Sequence, residues 1–199
     1  MGVLLLYPFI EKLADNAQHL INKLAASGYL VASVKDKSCC KAVVGMDGKQ
    51  SDIGESNGRS GKSLLGEAVK VISCTRHYNG KECSTSSTCS FLWDGINEKT
   101  KCVFIDDCIK GFDFKPLFSL ITGEWPVNPK GEKPYILPFQ KSPKIYVTTN
   151  HTMRGDGSSC IDRQWLIAFS DCYNDTHKPI DDFGVLSFDE WEDMYAAIG

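Results

Sequence analysis

The stretch that decides the fold is "GESNGRSGKS", residues 54–63, which ends in Gly-Lys-Ser. A glycine-rich loop between a strand and a helix can turn successive backbone N–H groups toward a bound anion. Gly58 and Gly61 permit this backbone path, because glycine adopts positive φ without a Cβ clash. A strict G-x-x-x-x-G-K-[ST] pattern needs glycine where this chain has Ser56, so the match is incomplete.

The sequence on either side of the loop supplies the strand and the helix. Upstream, "KAVVGMD" (41–47) is an apolar run that predicts a short buried strand. Downstream, "SLLGEAVKVI" (63–72) predicts a helix, because its apolar residues recur at helical spacing. The order of strand, loop and helix is the one that phosphate binding requires.

The loop and the start of the helix therefore form a candidate phosphate cradle, the alternative being an ordinary surface turn. The unpaired N–H groups and the dipole of a helix N-terminus favour an anion. Lys62 would contact the β- and γ-phosphates of a nucleotide, and Ser63 would ligate Mg²⁺. Without a nucleotide, we expect the Lys62 side chain to be solvated. The predicted cradle consists of Asn57, Gly58, Arg59, Ser60, Gly61, Lys62, Ser63 and Leu64.

A second motif, "CVFIDD" (102–107), is an apolar strand that ends in two aspartates. We predict that Asp106 holds Mg²⁺ and that Asp107 polarises the attacking water. Alone, such a pair more often caps a helix or forms a turn. Its position roughly 45 residues beyond the phosphate loop favours the metal role.

Two polar residues farther along complete the candidate site. Asn150 closes the predicted strand "KIYVTTN" and could orient water against the γ-phosphate, although such an Asn is more often a turn residue. Arg163 precedes the strand "QWLIAFS" and is the better of two candidates, with Arg154, for stabilising charge on a transferring phosphoryl group. The alternative for Arg163 is an ion pair with Asp156 or Asp162.

Composition limits what kind of protein this is. The chain has 199 residues, enough for one sizeable α/β core, and its net charge of −3 gives no global basic field for nucleic acid. Nine cysteines show no disulfide spacing, which favours a reducing, cytoplasmic compartment. The apolar start lacks a basic region and is too short to span a bilayer, so we expect no membrane partner.

The remaining elements are predicted from periodicity and turn residues. The segment 77–89 is polar and expected to be a turn-rich surface excursion. The predicted elements are a helix over 9–26 that ends at Ser27-Gly28, a short helix over 115–125, a hairpin or exposed loop over 126–139, strands over 143–150 and 164–170, and a helix near 187–198.

Five segments, in this order, carry a family resemblance: "GESNGRSGKSLLGEAV", "KCVFIDDC", "LITGEWPVNPKGEKP", "SPKIYVTTN" and "DRQWLIAFS". Each is weak alone, but the ordered set resembles the ATPase domain of superfamily 3 helicases, most closely phage and plasmid primase-helicases. The resemblance implies an α/β P-loop NTPase fold of AAA+ type, with a central parallel sheet flanked by helices. It also implies ATP and Mg²⁺ as cofactors and a DNA helicase motor for phage or plasmid replication. Such motors form homo-oligomeric, usually hexameric, rings on single-stranded DNA.

The resemblance also implies residue roles. Lys62 and Ser63 match the phosphate-loop residues, Asp106 and Asp107 match the acidic pair, and Asn150 matches the polar sensor.

Two further matches lie outside that pocket. Arg163 matches the arginine that reaches a neighbouring subunit's ATP, and Lys130 falls where the family has its DNA-contacting hairpin. The expected organisation is an N-terminal helical segment (1–38), the ATPase core (39–175) and the start of a C-terminal helical part (176–199). The chain is expected to be a fragment of a longer protein.

Three alternatives stay open. A small-molecule kinase would use the same cradle but normally needs an arginine-rich lid, which this chain lacks. A nucleotide-binding assembly module would have lost hydrolysis, against which the acidic pair and Asn150 argue. A zinc site from Cys74, His77, Cys83 and Cys89 is the weakest, because their spacing matches no known zinc pattern.

Overall fold

The computed structural model describes residues 3–48, 60–85, 92–151 and 157–184. The strands are β1 (Ala42–Asp47), β2 (Thr75–Asn79), β3 (Cys102–Cys108), β4 (Trp125–Val127), β5 (Tyr135–Leu137), β6 (Lys144–Thr149) and β7 (Gln164–Phe169). The helices are α1 (Val3–Lys12), α2 (Ala17–Val31), α3 (Lys62–Ile72), α4 (Gly80–Thr85), α5 (Phe118–Thr122), α6 (Ser158–Asp162) and α7 (Pro179–Phe183).

Five of these strands form one parallel sheet in the order β2-β3-β6-β1-β7. The predicted α/β fold with a central parallel sheet flanked by helices is confirmed. Because all five strands run the same way, their carboxyl ends share one edge of the sheet. In open α/β sheets, ligands bind in the crevice outside this edge.

The two faces of the sheet contribute side chains to two separate hydrophobic cores, since successive side chains along a strand point to opposite faces. In β3, Cys102 and Phe104 enter the first core, and Val103 and Ile105 enter the second. Residues of α1, α2 and α3 close the first core. Residues of α5 and of the β4–β5 pair close the second.

The N-terminal region differs from the prediction of one helix over 9–26. The chain forms α1 and α2, because Asn16 starts a new helix and its side chain accepts a hydrogen bond from the His19 amide at 2.9 Å. Helix α2 runs through the predicted stop at Gly28 and ends at Val31. Its packing against the sheet outweighs the weak helix propensity of one glycine.

The prediction for 77–89 is also wrong over its described part. Edge strand β2 pairs in parallel with β3, and α4 follows it. Pairing with β3 gives this polar segment its strand structure, which propensity alone did not indicate. Of the two alternatives for 126–139, the structure has the hairpin, since β4 and β5 pair antiparallel from Trp125 to Leu137. The helix expected near 187–198 lies outside the described residues.

Within the described ranges, no helix has the length and apolar character needed to cross a bilayer. The cysteines of those ranges are free thiols.

Candidate functional site

The described end of the phosphate loop leads directly into α3. Gly61 is the N-cap residue at φ 89°, and a Cβ there would approach Leu13 Cδ2 to 2.7 Å. Both the backbone angle and the close approach require glycine at this position. Lys62 and Ser63 follow in the first turn of the helix. Predicted cradle residues Asn57, Gly58 and Arg59 lie outside the described residues, as does Ser56.

Lys62 is held by Asp47, the last residue of β1. The Lys62 ammonium donates a very short hydrogen bond to Asp47 Oδ1, and the Ser60 hydroxyl donates to the same oxygen at 2.6 Å. Lys62 also donates to Ser60 Oγ at 3.1 Å. Both charged side chains are nearly buried, at 7% and 9% exposure. The expectation of a solvated Lys62 is therefore wrong, because a buried carboxylate lies within its reach.

Burial lowers the pKa of the Lys62 ammonium. Asp47 opposes this shift most strongly, through its hydrogen bond and its charge, and Asp107 and Asp106 add smaller opposing effects. The lysine therefore depends on neighbouring negative charge to remain protonated in a largely desolvated position.

Ser63 and Asp106, the two predicted metal ligands, are in direct contact. The Ser63 hydroxyl donates to Asp106 Oδ1 at 2.7 Å, although the residues are 43 positions apart in sequence. One oxygen comes from the first turn of α3 and the other from the end of β3. The parallel order of the sheet brings them together.

A β-bulge positions the acidic pair. The register between β3 and β6 shifts between Ile105 and Cys108, so that both aspartates lie opposite Thr148. The Thr148 hydroxyl donates to Asp106 Oδ1 at 2.5 Å and accepts from the Asp107 amide at 2.9 Å. Bulges commonly redirect side chains next to functional sites. Here one threonine bonds both the Asp106 carboxylate and the Asp107 backbone.

Asp107 takes a different direction from Asp106. Its φ of 55° is unusual for a residue other than glycine, and such strain is commonly found at functional sites. Its half-exposed carboxylate pairs with Lys81 at 3.1 Å, a contact that exposure makes weak. Asp106 instead has His77 Nε2 at 3.7 Å from its second oxygen. The two acids therefore have different surroundings, consistent with different roles.

These residues surround one cleft of about 300 Å³ at the carboxyl edge of the sheet. Its lining includes residues 60–64 of the loop and helix, together with Asp107 and Asn150. Thr148, Thr149 and Pro179 complete the lining. Six predicted site residues, Ser60, Gly61, Lys62, Ser63, Leu64 and Asn150, thus lie in the same cleft as Asp107, with Asp106 bonded to Ser63.

Two predicted residues lie away from this cleft. Arg163 is at the amino end of β7, where its carbonyl accepts from the Ala42 amide at the start of β1. Its guanidinium donates to the Ser159 carbonyl at 2.8 Å and lies over the Phe118 ring. Lys130 is exposed in the turn between β4 and β5, next to Gly131 at φ 81°. Arg154 lies outside the described residues.

Sequence reasoning missed Asp47 and Thr148. Asp47 carried a usable signal, since it ends a buried strand upstream of the phosphate loop, much as Asp106 lies near the carboxyl end of β3. Thr148 carried no such signal, because its contacts depend on the β-bulge between β3 and β6. Of the residues in the zinc alternative, Cys89 lies outside the described residues. Cys74, His77 and Cys83 form no metal-ligand cluster among the described residues, and His77 faces Glu67 and Asp106.

Neither protein-family models nor curated proteins give a match to this chain. The case for function therefore depends on the fold and on the geometry of the cleft.

Proposed function

We propose that this chain is the ATPase core of a DNA helicase motor, a P-loop NTPase of AAA+ type that hydrolyses ATP with Mg²⁺. The contact between Ser63 and Asp106 is the observation that carries the proposal. In P-loop NTPases, Mg²⁺ is held by the serine or threonine of the loop and by an aspartate at the end of a neighbouring strand. Both oxygens are present here, beside a lysine and a helix N-terminus.

The donor set fits Mg²⁺. This ion prefers hard oxygen ligands in octahedral geometry, so adjacent ligand oxygens lie about 2.9 Å apart. Ser63 Oγ and Asp106 Oδ1 are 2.7 Å apart and need to separate only slightly. Bound there, Mg²⁺ would neutralise charge on the β- and γ-phosphates.

The other groups around the cleft have matching roles. Lys62 would bind the phosphates, while Asp107 would accept a proton from, or orient, the attacking water. Asn150 would hold that water against the γ-phosphate. Thr148 would hold the Asp106 carboxylate and the Asp107 backbone in position through its two hydrogen bonds.

The wider part of the proposal concerns DNA and assembly. The exposed turn that carries Lys130 supports a DNA-contacting role, because a cation on an exposed turn can neutralise a backbone phosphate. The location of Arg163 away from the cleft of its own chain supports a role in a neighbouring subunit of a hexameric ring. The proposed setting is the cytoplasm of the cell in which the phage or plasmid replicates.

The test is ATP hydrolysis by the purified chain, measured with and without Mg²⁺ and single-stranded DNA. We expect Mg²⁺-dependent turnover that DNA stimulates. Asp107→Asn should bind Mg-ATP without hydrolysing it, whereas Asp106→Asn should weaken metal-dependent binding. Asp113→Asn is the matched control, since its exposed carboxylate accepts from the Lys115 amide, outside the cleft lining, and loss of its charge should leave turnover intact.

The other outcomes identify the alternatives. Phosphate transfer to a metabolite would identify a kinase, and nucleotide binding without turnover would identify an assembly module. An equal loss of binding in Asp106→Asn and Asp107→Asn would contradict the separate roles of the two aspartates.

A further inference from the structure

Asp47 forms a closed cluster with the two loop residues that face the cleft. Its Oδ1 atom accepts from both Ser60 and Lys62, which also bond to each other. Ser60 and Lys62 line the cleft, whereas Asp47 is not part of that lining and lies behind them at the end of β1. The carboxylate therefore binds the Lys62 ammonium from outside the lining of the cleft.

The charges at this point oppose one another. A lysine ammonium has three donors, and Asp47 and Ser60 take two of them. A phosphate arriving at Lys62 would bring negative charge close to the nearly buried Asp47 carboxylate. Such like charges repel strongly in a poorly solvated site. The Asp47 carboxylate and a bound phosphate would therefore compete for the Lys62 ammonium.

We propose that Asp47 is a positioning residue that holds Lys62 in a retracted ion pair, and that nucleotide binds by replacing the Asp47 carboxylate with phosphate at the Lys62 ammonium. Asp47 thereby weakens the affinity for nucleotide and favours release of the product. This inference rests on the proposed function, because it needs a nucleotide in the cleft.

The first test measures binding of Mg-ADP and of Mg-ATP by calorimetry. Asp47→Asn keeps the size of the side chain and an acceptor oxygen but removes the charge. The change removes both the competing counter-ion and the repulsion, so we expect nucleotide to bind about tenfold more tightly, a factor typical of one charge contact. Glu98→Gln makes the same charge change at an exposed pair with Lys141 and should leave affinity unchanged.

The second test needs no nucleotide. Acetic anhydride labelling, quantified by mass spectrometry, reports how accessible and nucleophilic each lysine is in the free protein. Lys62 should react much more slowly than the half-exposed Lys70 in the unsubstituted chain, and faster in Asp47→Asn. A role of Asp47 in stability alone would lower the melting temperature without tightening nucleotide binding.

The outcomes separate the two proposals. If the unsubstituted chain binds nucleotide but Asp47→Asn binds it equally or more weakly, the role of Asp47 is wrong and the proposed function stands. If Lys62 labels as fast as Lys70, the retracted pair is absent in solution and the inference is overturned. If Lys62 labels slowly but neither the unsubstituted chain nor any variant binds nucleotide, the proposed function is wrong. The proposed replacement of the Asp47 carboxylate by phosphate at Lys62 is then wrong as well.

Discussion

Buried lysines are an unusual feature of this chain at the scale of single residues. Lys62 has a carboxylate partner, but Lys23 on α2 is 1% exposed and its ammonium has no hydrogen-bond partner among the described residues. The ammonium lies 5.3 Å from the centre of the Phe169 ring. Burial lowers the pKa of Lys23 to about 8, and the charge of Asp15 offsets only part of that shift. Lys23 therefore costs stability at neutral pH.

Because buried Lys23 lowers folding stability at neutral pH, replacing it should have a pH-dependent effect on stability. Between pH 8 and 10.5, the unfolded chain binds a proton at Lys23 that the folded chain has released, so folding stability rises with pH across this window. Lys23→Met should raise the free energy of unfolding at pH 7 by up to about 3 kcal/mol. The gain should disappear toward pH 10.5. Urea unfolding at both pH values measures it.

The control for Lys23 is Lys70→Met, which removes a half-exposed lysine from α3. It should not reproduce the pH-dependent gain. If Lys23→Met raises the free energy of unfolding by the same amount at pH 7 and at pH 10.5, improved packing, and not the loss of charge, explains the effect.

At the scale of elements, the sequence predicted those whose pattern is local. The apolar run before the phosphate loop became β1, and the helical spacing after it became α3. Edge strand β2 was missed, because Thr75–Asn79 is mostly polar and is a strand only through its pairing with β3. Asp47 and Thr148 were missed for a related reason, since their contacts join residues distant in sequence. Local pattern thus predicts the framework of the cleft but not the contacts that orient its acids and its lysine.

The hairpin formed by β4 and β5 gives a prediction that is independent of nucleotide. In the proposed function, Lys130 at its turn neutralises one phosphate of single-stranded DNA and displaces one counterion. Lys130→Ala should weaken DNA binding and lower the slope of log affinity against log salt by about 0.7. Fluorescence anisotropy with a labelled oligonucleotide at several salt concentrations measures both quantities.

Lys70→Ala serves as the control for Lys130, since it removes a positive charge from the outer side of α3, away from the hairpin. It should leave the salt slope unchanged. If Lys130→Ala also leaves the slope unchanged, Lys130 is an ordinary solvated loop residue and the hairpin does not contact the backbone through it.

At the scale of the whole molecule, the cleft and Arg163 are at opposite edges of the sheet. Lys62 follows the carboxyl end of β1, whereas Arg163 precedes β7, which is parallel to β1 and starts beside Ala42. Strands of this length separate the two edges by about 20 Å. Arg163 therefore cannot reach a phosphate in the cleft of its own chain. Any role of Arg163 in hydrolysis requires a second copy.

The requirement for a second copy predicts complementation between two inactive variants. A guanidinium is planar, permanently charged and able to bond two phosphate oxygens, so it suits transition-state charge supplied from outside the pocket. Arg163→Ala should bind ATP but scarcely hydrolyse it, and Lys62→Ala should be inactive as well. In the proposed ring, mixing the two variants would give some interfaces with an intact Lys62 on one side and an intact Arg163 on the other. We expect those interfaces to restore part of the DNA-stimulated turnover.

The control for this mixing experiment is a chain that carries both substitutions, mixed with Lys62→Ala. No interface in that mixture combines an intact pocket with an intact Arg163, so turnover should stay absent. Exchange of subunits is followed separately by energy transfer between labelled chains. If mixed assemblies form and the two single variants still show no turnover, hydrolysis needs concerted action around the ring. Full activity of Arg163→Ala alone would show that hydrolysis does not need this guanidinium, and would remove Arg163 from the mechanism.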